Sequence, residues 1–175
     1  MEKAHLCTRK KQQSLNQLYI MKEVILFAFV AMFSGASLKA QTLDKMQWFN
    51  EPESYTVKGG TLEMDVPGQT DYWRIAHYGF TVDDGPFLYA TYGGEFEAKI
   101  KVSGDYKVRF DHAGMMIRQD HENWVKFGIE FVEGKYNIST VVTHHTSDWS
   151  VIQLEKSIPY IWIKPVRRLD AIELF

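Results

Sequence analysis

Glu95-Phe96-Glu97-Ala98-Lys99-Ile100-Lys101-Val102 alternates without a break. Phe96, Ala98, Ile100 and Val102 fall on one side; Glu95, Glu97, Lys99 and Lys101 fall on the other. A side-chain period of two is that of an extended strand with one face buried, whereas a helix would scatter the same residues around its circumference. Trp124-Val125-Lys126-Phe127-Gly128-Ile129-Glu130-Phe131 repeats the pattern, with Val125, Phe127, Ile129 and Phe131 on one face and Trp124, Lys126, Gly128 and Glu130 on the other.

Turn chemistry separates such runs at short intervals: Gly59-Gly60, Asp83-Asp84-Gly85-Pro86, Gly93-Gly94, Ser103-Gly104-Asp105, Asp120-His121-Glu122-Asn123 and Glu133-Gly134-Lys135. The last joins two strong alternating runs and predicts a hairpin. Strand and turn recurring about every eight to twelve residues predict an all-β antiparallel sandwich or barrel. No amphipathic helix of three turns is expected after Gln41. Ile161-Trp162-Ile163-Lys164 and Ala171-Ile172-Glu173-Leu174-Phe175 read as further strands, the last an apolar edge that would expose an aggregation-prone border.

The first forty residues have a different character. Lys22, the apolar run Val24–Phe33 and the small-residue exit to Ala40-Gln41 read as a secretory signal peptide over 21–40. The run is about half the roughly twenty apolar residues that a membrane span requires, so no stable span is expected after cleavage. Residues 1–20 are basic and polar and are set aside as an upstream extension or a mis-started segment, with Met21 as the favoured start. The domain is then 41–175, in a secreted or periplasmic protein.

Six of the 20 basic and two of the 22 acidic residues lie in 1–40, so the domain carries 14 against 20, a net charge of −6. A mildly acidic domain argues against nucleic acid as a partner. The single cysteine, Cys7, lies outside it, so the domain has no disulfide and is held by its core.

Five stretches, in order, resemble the DUF1349 family. They are Trp48-Phe49-Asn50-Glu51-Pro52; Thr70-Asp71-Tyr72-Trp73-Arg74 with Tyr78-Gly79; Asp111–Arg118; Trp124–Glu130; and Val141-Val142-Thr143 with Ser147-Asp148-Trp149-Ser150. The resemblance covers about residues 44–175. It implies a concanavalin A-like β-sandwich of jelly-roll type. This chain has His112 where the family pattern has Gln, and the family pattern continues past Ile172-Glu173-Leu174, which implies that its last strands are missing from a sequence ending at Phe175.

The alternation also suggests a site. Gly114, Met116 and Arg118 share a phase, as do Lys126 and Glu130, and Asn137, Ser139, Val141 and Thr143. If the three runs pair as a meander, one sheet face gathers Arg, Lys, Glu, Ser and Thr. Sugar hydroxyls bond to such groups and sugar rings pack on aromatic faces, with Trp73, Trp124 and Trp149 as candidates and Gly114 and Gly128 leaving room for close approach. The expected ligand is an oligosaccharide or polysaccharide, contacted by Trp73, Arg118, Lys126, Glu130, Thr143, Asp148 and Trp149. The competing interpretation is an ordinary solvated face with cross-strand ion pairs. Trp48 and Trp162 are expected in the core.

No catalytic set, metal or cofactor is expected. Retaining glycosidases need two carboxyl groups about 5 Å apart on one face; Glu130 with Asp148 is the best pair available, which keeps a glycoside hydrolase or polysaccharide lyase as an alternative. A protein-interaction module is the further alternative. His144-His145, adjacent on a strand, would point to opposite faces and make a poor metal pair. Asp83-Asp84-Gly85 is read as a turn rather than a calcium loop.

Overall fold

The computed structural model describes the backbone of residues 4–7 and residues 43–175. The expected signal segment, 21–40, lies outside the described residues. Among these the chain is all-β, with one short 3₁₀ turn at Leu43–Lys45.

The centre is a four-stranded antiparallel meander: β10 (His112–Arg118), β11 (Asn123–Val132), β12 (Lys135–His144) and β13 (Thr146–Gln153). The predicted hairpin joins β11 to β12, with Val132 paired to Lys135. Its two turn residues, Glu133 and Gly134, have φ of 52° and 77°, the left-handed pair that matches the twist of the flanking strands.

The opening run, 95–102, forms two short strands rather than one: β8 (Phe96–Glu97) and β9 (Ile100–Val102). They pair with β15 (Pro165–Arg168) and β14 (Ile161–Ile163) respectively. Ile100 opposes Ile163 and Glu97 opposes Val166, so both halves keep a single register. The interruption falls at Pro165. Ala98 N donates to Pro165 O at 3.1 Å, but proline has no N–H to return. The predicted alternation survives the break: Phe96, Ala98, Ile100 and Val102 are at least partly buried, while Glu97, Lys99 and Lys101 are exposed.

On its other side this ladder meets β16 (Ala171–Leu174), which pairs with β15. The expected bare border at β16 carries a partner instead: β1 (Ala4–Cys7), in a segment set aside on sequence, lies antiparallel along it and takes up edge groups that would otherwise be unpaired.

The two sheets pack through their apolar faces. Val125 and Phe127 of the meander meet Val102 and Ile163, with Met115, Ile117, Val142, Ile161, Ile172 and Leu174 against them. Trp162, expected in the core, is 55% exposed. Ile161 and Ile163 take the inner phase, and Lys99 Nζ lies 4.7 Å above the indole on the outer side. Trp48 is half-buried, edge-on to Tyr55.

The opposite face of the meander is roofed over one half. The roof comes from two two-stranded pairs, β2 (Gln47–Phe49) with β7 (Phe87–Tyr89) and β5 (Tyr72–Arg74) with β6 (Thr81–Asp83); a third pair, β3 (Tyr55–Lys58) with β4 (Thr61–Met64), meets β2 through Tyr55 and Trp48. Tyr72 and Trp73 pack on Trp124 and Val141, with Phe87 and Met116 against them. Arg74 fastens the roof to the strand ends. Its backbone N donates to Ser147 Oγ (2.9 Å), its Nε to His145 O (3.1 Å) and its Nη2 to Glu122 Oε1 (2.7 Å).

Candidate functional site

The register arranges the second face of the meander in rows running across the strands. His112, Glu130, Asn137 and Gln153 form the first; Gly114, Gly128, Ser139 and Val151 the second. Met116, Lys126, Val141 and Trp149 form the third, and Arg118, Trp124, Thr143 and Ser147 the fourth. The gathering of polar residues expected from the alternation is present, but the roof divides it.

Beneath and beside the roof, most of the expected binding residues are occupied. Trp73 is 8% exposed in the core, with its indole Nε1 bonded to Ala76 O. Both guanidinium Nη atoms of Arg118 pair with the Asp83 carboxylate, and its guanidinium carbon lies 4.9 Å from the Phe49 ring centre. Hydrogen bonding to Asp83 raises its pKa above the ordinary arginine value. Lys126 Nζ bonds to Asp71 Oδ1. Thr143 is buried and shares a hydrogen bond with Ser147 Oγ at 2.8 Å. These groups hold the roof down.

Asp148 is a different correction. It pairs with Val142, whose side is the one packed between the sheets. Glu130 pairs with Asn137 on the other side. Asp148 and Glu130 therefore project from opposite faces, because their β12 partners, Val142 and Asn137, lie an odd number of residues apart on one strand and so point to opposite sides of the pleat. They cannot act together on one glycosidic bond.

The unroofed end, at rows one and two, has a different character. Glu130 is only 6% exposed. Its Oε2 accepts from Trp149 Nε1 at 2.8 Å. Its Oε1 has no hydrogen-bond partner among the described residues and is not sealed, since Tyr106 Oη is the one fully enclosed, unpartnered side-chain polar atom among them. The Trp149 indole reaches Glu130 by crossing β12 above Ser139, whose Oγ lies 3.2 Å from Nε1. Ser139 has no exposed surface, while Trp149 keeps 38%. A small residue under the ring is what lets the ring lie there.

Phe110 stands against Trp149, ring centres 6.3 Å apart and planes at 82°. It sits in a β-bulge. Phe110 N donates to Phe131 O (2.7 Å) and Phe131 N to Asp111 O (2.9 Å), so two residues oppose one. Phe110 has φ of 74°, a conformation that glycine normally supplies at such bulges. Asp111 Oδ2 fixes the turn by accepting from Lys107 N (2.7 Å) and Val108 N (2.8 Å).

Gly114 and Gly128 face each other across β10 and β11. A Cβ on Gly114 would lie 2.0 Å from Phe127 O, and one on Gly128 2.1 Å from Ala113 O. The glycines are thus required by the approach of the two backbones, a cause other than room for a ligand; the bare floor is its by-product. His112, beside Glu130 in row one, is held neutral, its pKa pushed down to about 3 by burial and then by the Lys126 charge.

Sequence reasoning missed His112, Ser139 and Phe110. The first was within reach: two residues before Gly114, it continues the same phase. Ser139 was placed on the face but not as the seat of an indole. Nothing in the sequence marks the Phe110 bulge, because the residue that takes its left-handed φ is not glycine. Of two shallow hollows, one at Lys45, Gln47 and Tyr89 is lined by none of these rows, and one lined by Lys135, Tyr136, Gln153 and Leu154 touches the first row at Gln153. Among the described residues no group of His, Cys, Asp and Glu is arranged to hold a metal.

Residues 48–175 match the family described as "Protein of unknown function (DUF1349)". The chain belongs to this family. It is 36% identical over 126 residues to "Regulation of enolase protein 1" of Saccharomyces cerevisiae, covering 72% of this chain and 64% of that protein. It is 26% identical over 125 residues to "Uncharacterized protein AN7484" of Emericella nidulans, covering 68% and 58%. The chain thus spans less than two thirds of the length of both curated relatives. A crystal structure of a functionally unknown protein from Saccharomyces cerevisiae superposes with a TM-score of 0.69 at 28% identity, over 77% of this chain and 86% of that one.

Proposed function

We propose that this DUF1349 domain is an exported carbohydrate-binding module whose site is the unroofed end of the meander, centred on Glu130, Trp149, Phe110 and His112. The observation that carries it is the Glu130 carboxylate, buried with Oε1 unpartnered among the described residues and not fully enclosed, beside an exposed indole. A desolvated acceptor next to an aromatic surface suits a sugar, which offers O–H donors at its rim and C–H groups on its faces. Few polar groups placed among aromatic walls are the usual make-up of a small-molecule site. Catalysis finds less support, since the pair Glu130 and Asp148 is split between faces.

The test is a thermal melt of the full chain with a panel of plant and host-glycan oligosaccharides. A ligand at a hundred times its dissociation constant adds about 2.7 kcal/mol, or several degrees for a domain of this size. A cooperative melt raised by one class of sugar supports carbohydrate binding; a cooperative melt raised by none counts against it.

A second possibility has its own observation. The yeast relative is named for regulation of an enolase, which favours a protein-interaction module. Co-purification of a metabolic enzyme with the wild-type chain, retained in Glu130→Gln, would favour that alternative.

A further inference from the structure

The charges around the open floor are unequal in a way that selects a ligand. Three cations lie on this face or beside its Phe110 wall, and each already has a carboxylate. Lys126 is paired with Asp71, Arg118 with Asp83, and Arg109 reaches Glu133 at 3.9 Å. The first two side chains are only 12% and 16% exposed. Lys135, at the rim, spends its Nζ on Gln153 Oε1 at 3.1 Å. The one ionic group in the floor is the reverse case: Glu130 has no cation within salt-bridge distance among the described residues, and its Oε1 has no hydrogen-bond partner among them and is not fully enclosed.

We infer that the site is specific for glycans without acid groups, neutral or amino sugars, and excludes uronates and sulfated sugars. The inference rests on carbohydrate binding at Glu130 and adds the class of sugar. A hydroxyl or ammonium group donates to Glu130 Oε1 and gains a charge-assisted bond in a site that water has partly left. A ligand carboxylate or sulfate placed there would meet a like charge with no free cation to offset it, and such juxtaposition is strongly unfavourable away from water. His112 does not change this balance at ordinary pH, because its imidazole stays neutral well into the acid range. The net −6 of residues 41–175 opposes a polyanion at longer range.

The experiment is a titration of the full chain with matched sets of oligosaccharides that differ only in charge: glucose, glucosamine and glucuronate oligomers of one linkage, and the galactose equivalents. The expected result is binding of a neutral or amino member at least tenfold tighter than its uronate. Glu130→Gln should shrink that ratio towards unity. Asp71→Asn, which strips Lys126 of its carboxylate at a position that is 43% exposed, should raise uronate affinity even if the Glu130 variant fails to fold. A wild-type preference for the uronate would overturn the charge selection while leaving carbohydrate binding in place. Binding of no member of any set would overturn both.

Discussion

Trp149 Nε1 donates to Glu130 Oε2 at 2.8 Å although a whole strand lies between them. The bond exists because the strand it crosses carries Ser139 at the crossing point. It links the exposed aromatic surface to the buried carboxylate, so neither can be moved alone. Ser139→Val tests the relationship. Valine suits a strand better than serine, yet its extra carbons would fill space the indole occupies. Overpacking at a site with no exposed surface costs about 1–3 kcal/mol. The expected outcome in a denaturant titration is a lower midpoint with unchanged slope, together with a red shift of tryptophan emission as Trp149 is lifted into water.

Arg118 was expected among the sugar contacts; its pairing with Asp83 gives it a structural role. Arg118→Ala leaves Asp83 without its partner beneath the roof and removes the cation from beside Phe49. Breaking a fully buried pair costs about 3–5 kcal/mol. Asp83 keeps 31% exposure, so solvent screening reduces the loss to about 2 kcal/mol. Equilibrium unfolding should show this loss, and ligand affinity measured below the melting temperature should change less than twofold.

Phe110 combines backbone strain with an exposed ring. A left-handed conformation costs a non-glycine residue about 1 kcal/mol or more. Phe110→Gly removes the strain and the ring together, whereas Phe110→Ala removes only the ring. The glycine variant should therefore melt higher than the alanine variant. Both should bind sugar more weakly than wild type, because the wall against Trp149 is gone. Equal melting temperatures in the two variants would show that the bulge does not strain the chain.

His112 makes stability depend on pH. Its native pKa is pushed down to about 3 by burial and the Lys126 charge, against about 6.5 in the unfolded chain. Below pH 6.5 the unfolded state binds a proton that the native state refuses. The stability this gives is complete above about pH 6.5 and is lost progressively as pH falls towards 3, by at most about 1.4 kcal/mol per pH unit. His112→Gln should remove that part of the slope. The check is urea unfolding of both proteins at pH 7 and pH 4.5, where the wild type should lose more stability than the variant.

The strands were legible because alternation reports the pleat directly. The run at 124–131 and the hairpin at Glu133-Gly134 appear where periodicity and turn chemistry placed them. Which residues share the polar face was legible for the same reason. Two things were not. The interruption of the 95–102 run lies in a different segment, at Pro165, which becomes its neighbour only through long-range pairing. The division of the polar face into a roofed half and an open half depends on where residues 47–89 settle, and their short strands carry little periodic signal. Arg118 and Lys126 were thus placed on the right face but not foreseen as partners of Asp83 and Asp71. Asp148 shows a simpler lapse: one step along a strand changes the face, and its alternation with Trp149 already implied that.

The most direct measurement is the sugar affinity of Glu130→Gln beside that of Asp148→Asn, two carboxylates close in sequence and on opposite faces. Loss of the Glu130 charge-assisted bond is worth about 1.5–3 kcal/mol, a weakening of roughly ten- to a hundredfold, while Asp148→Asn should bind as wild type does. Unchanged binding in Glu130→Gln with loss in Asp148→Asn would place the ligand on the other side of the sheet and contradict the site described above.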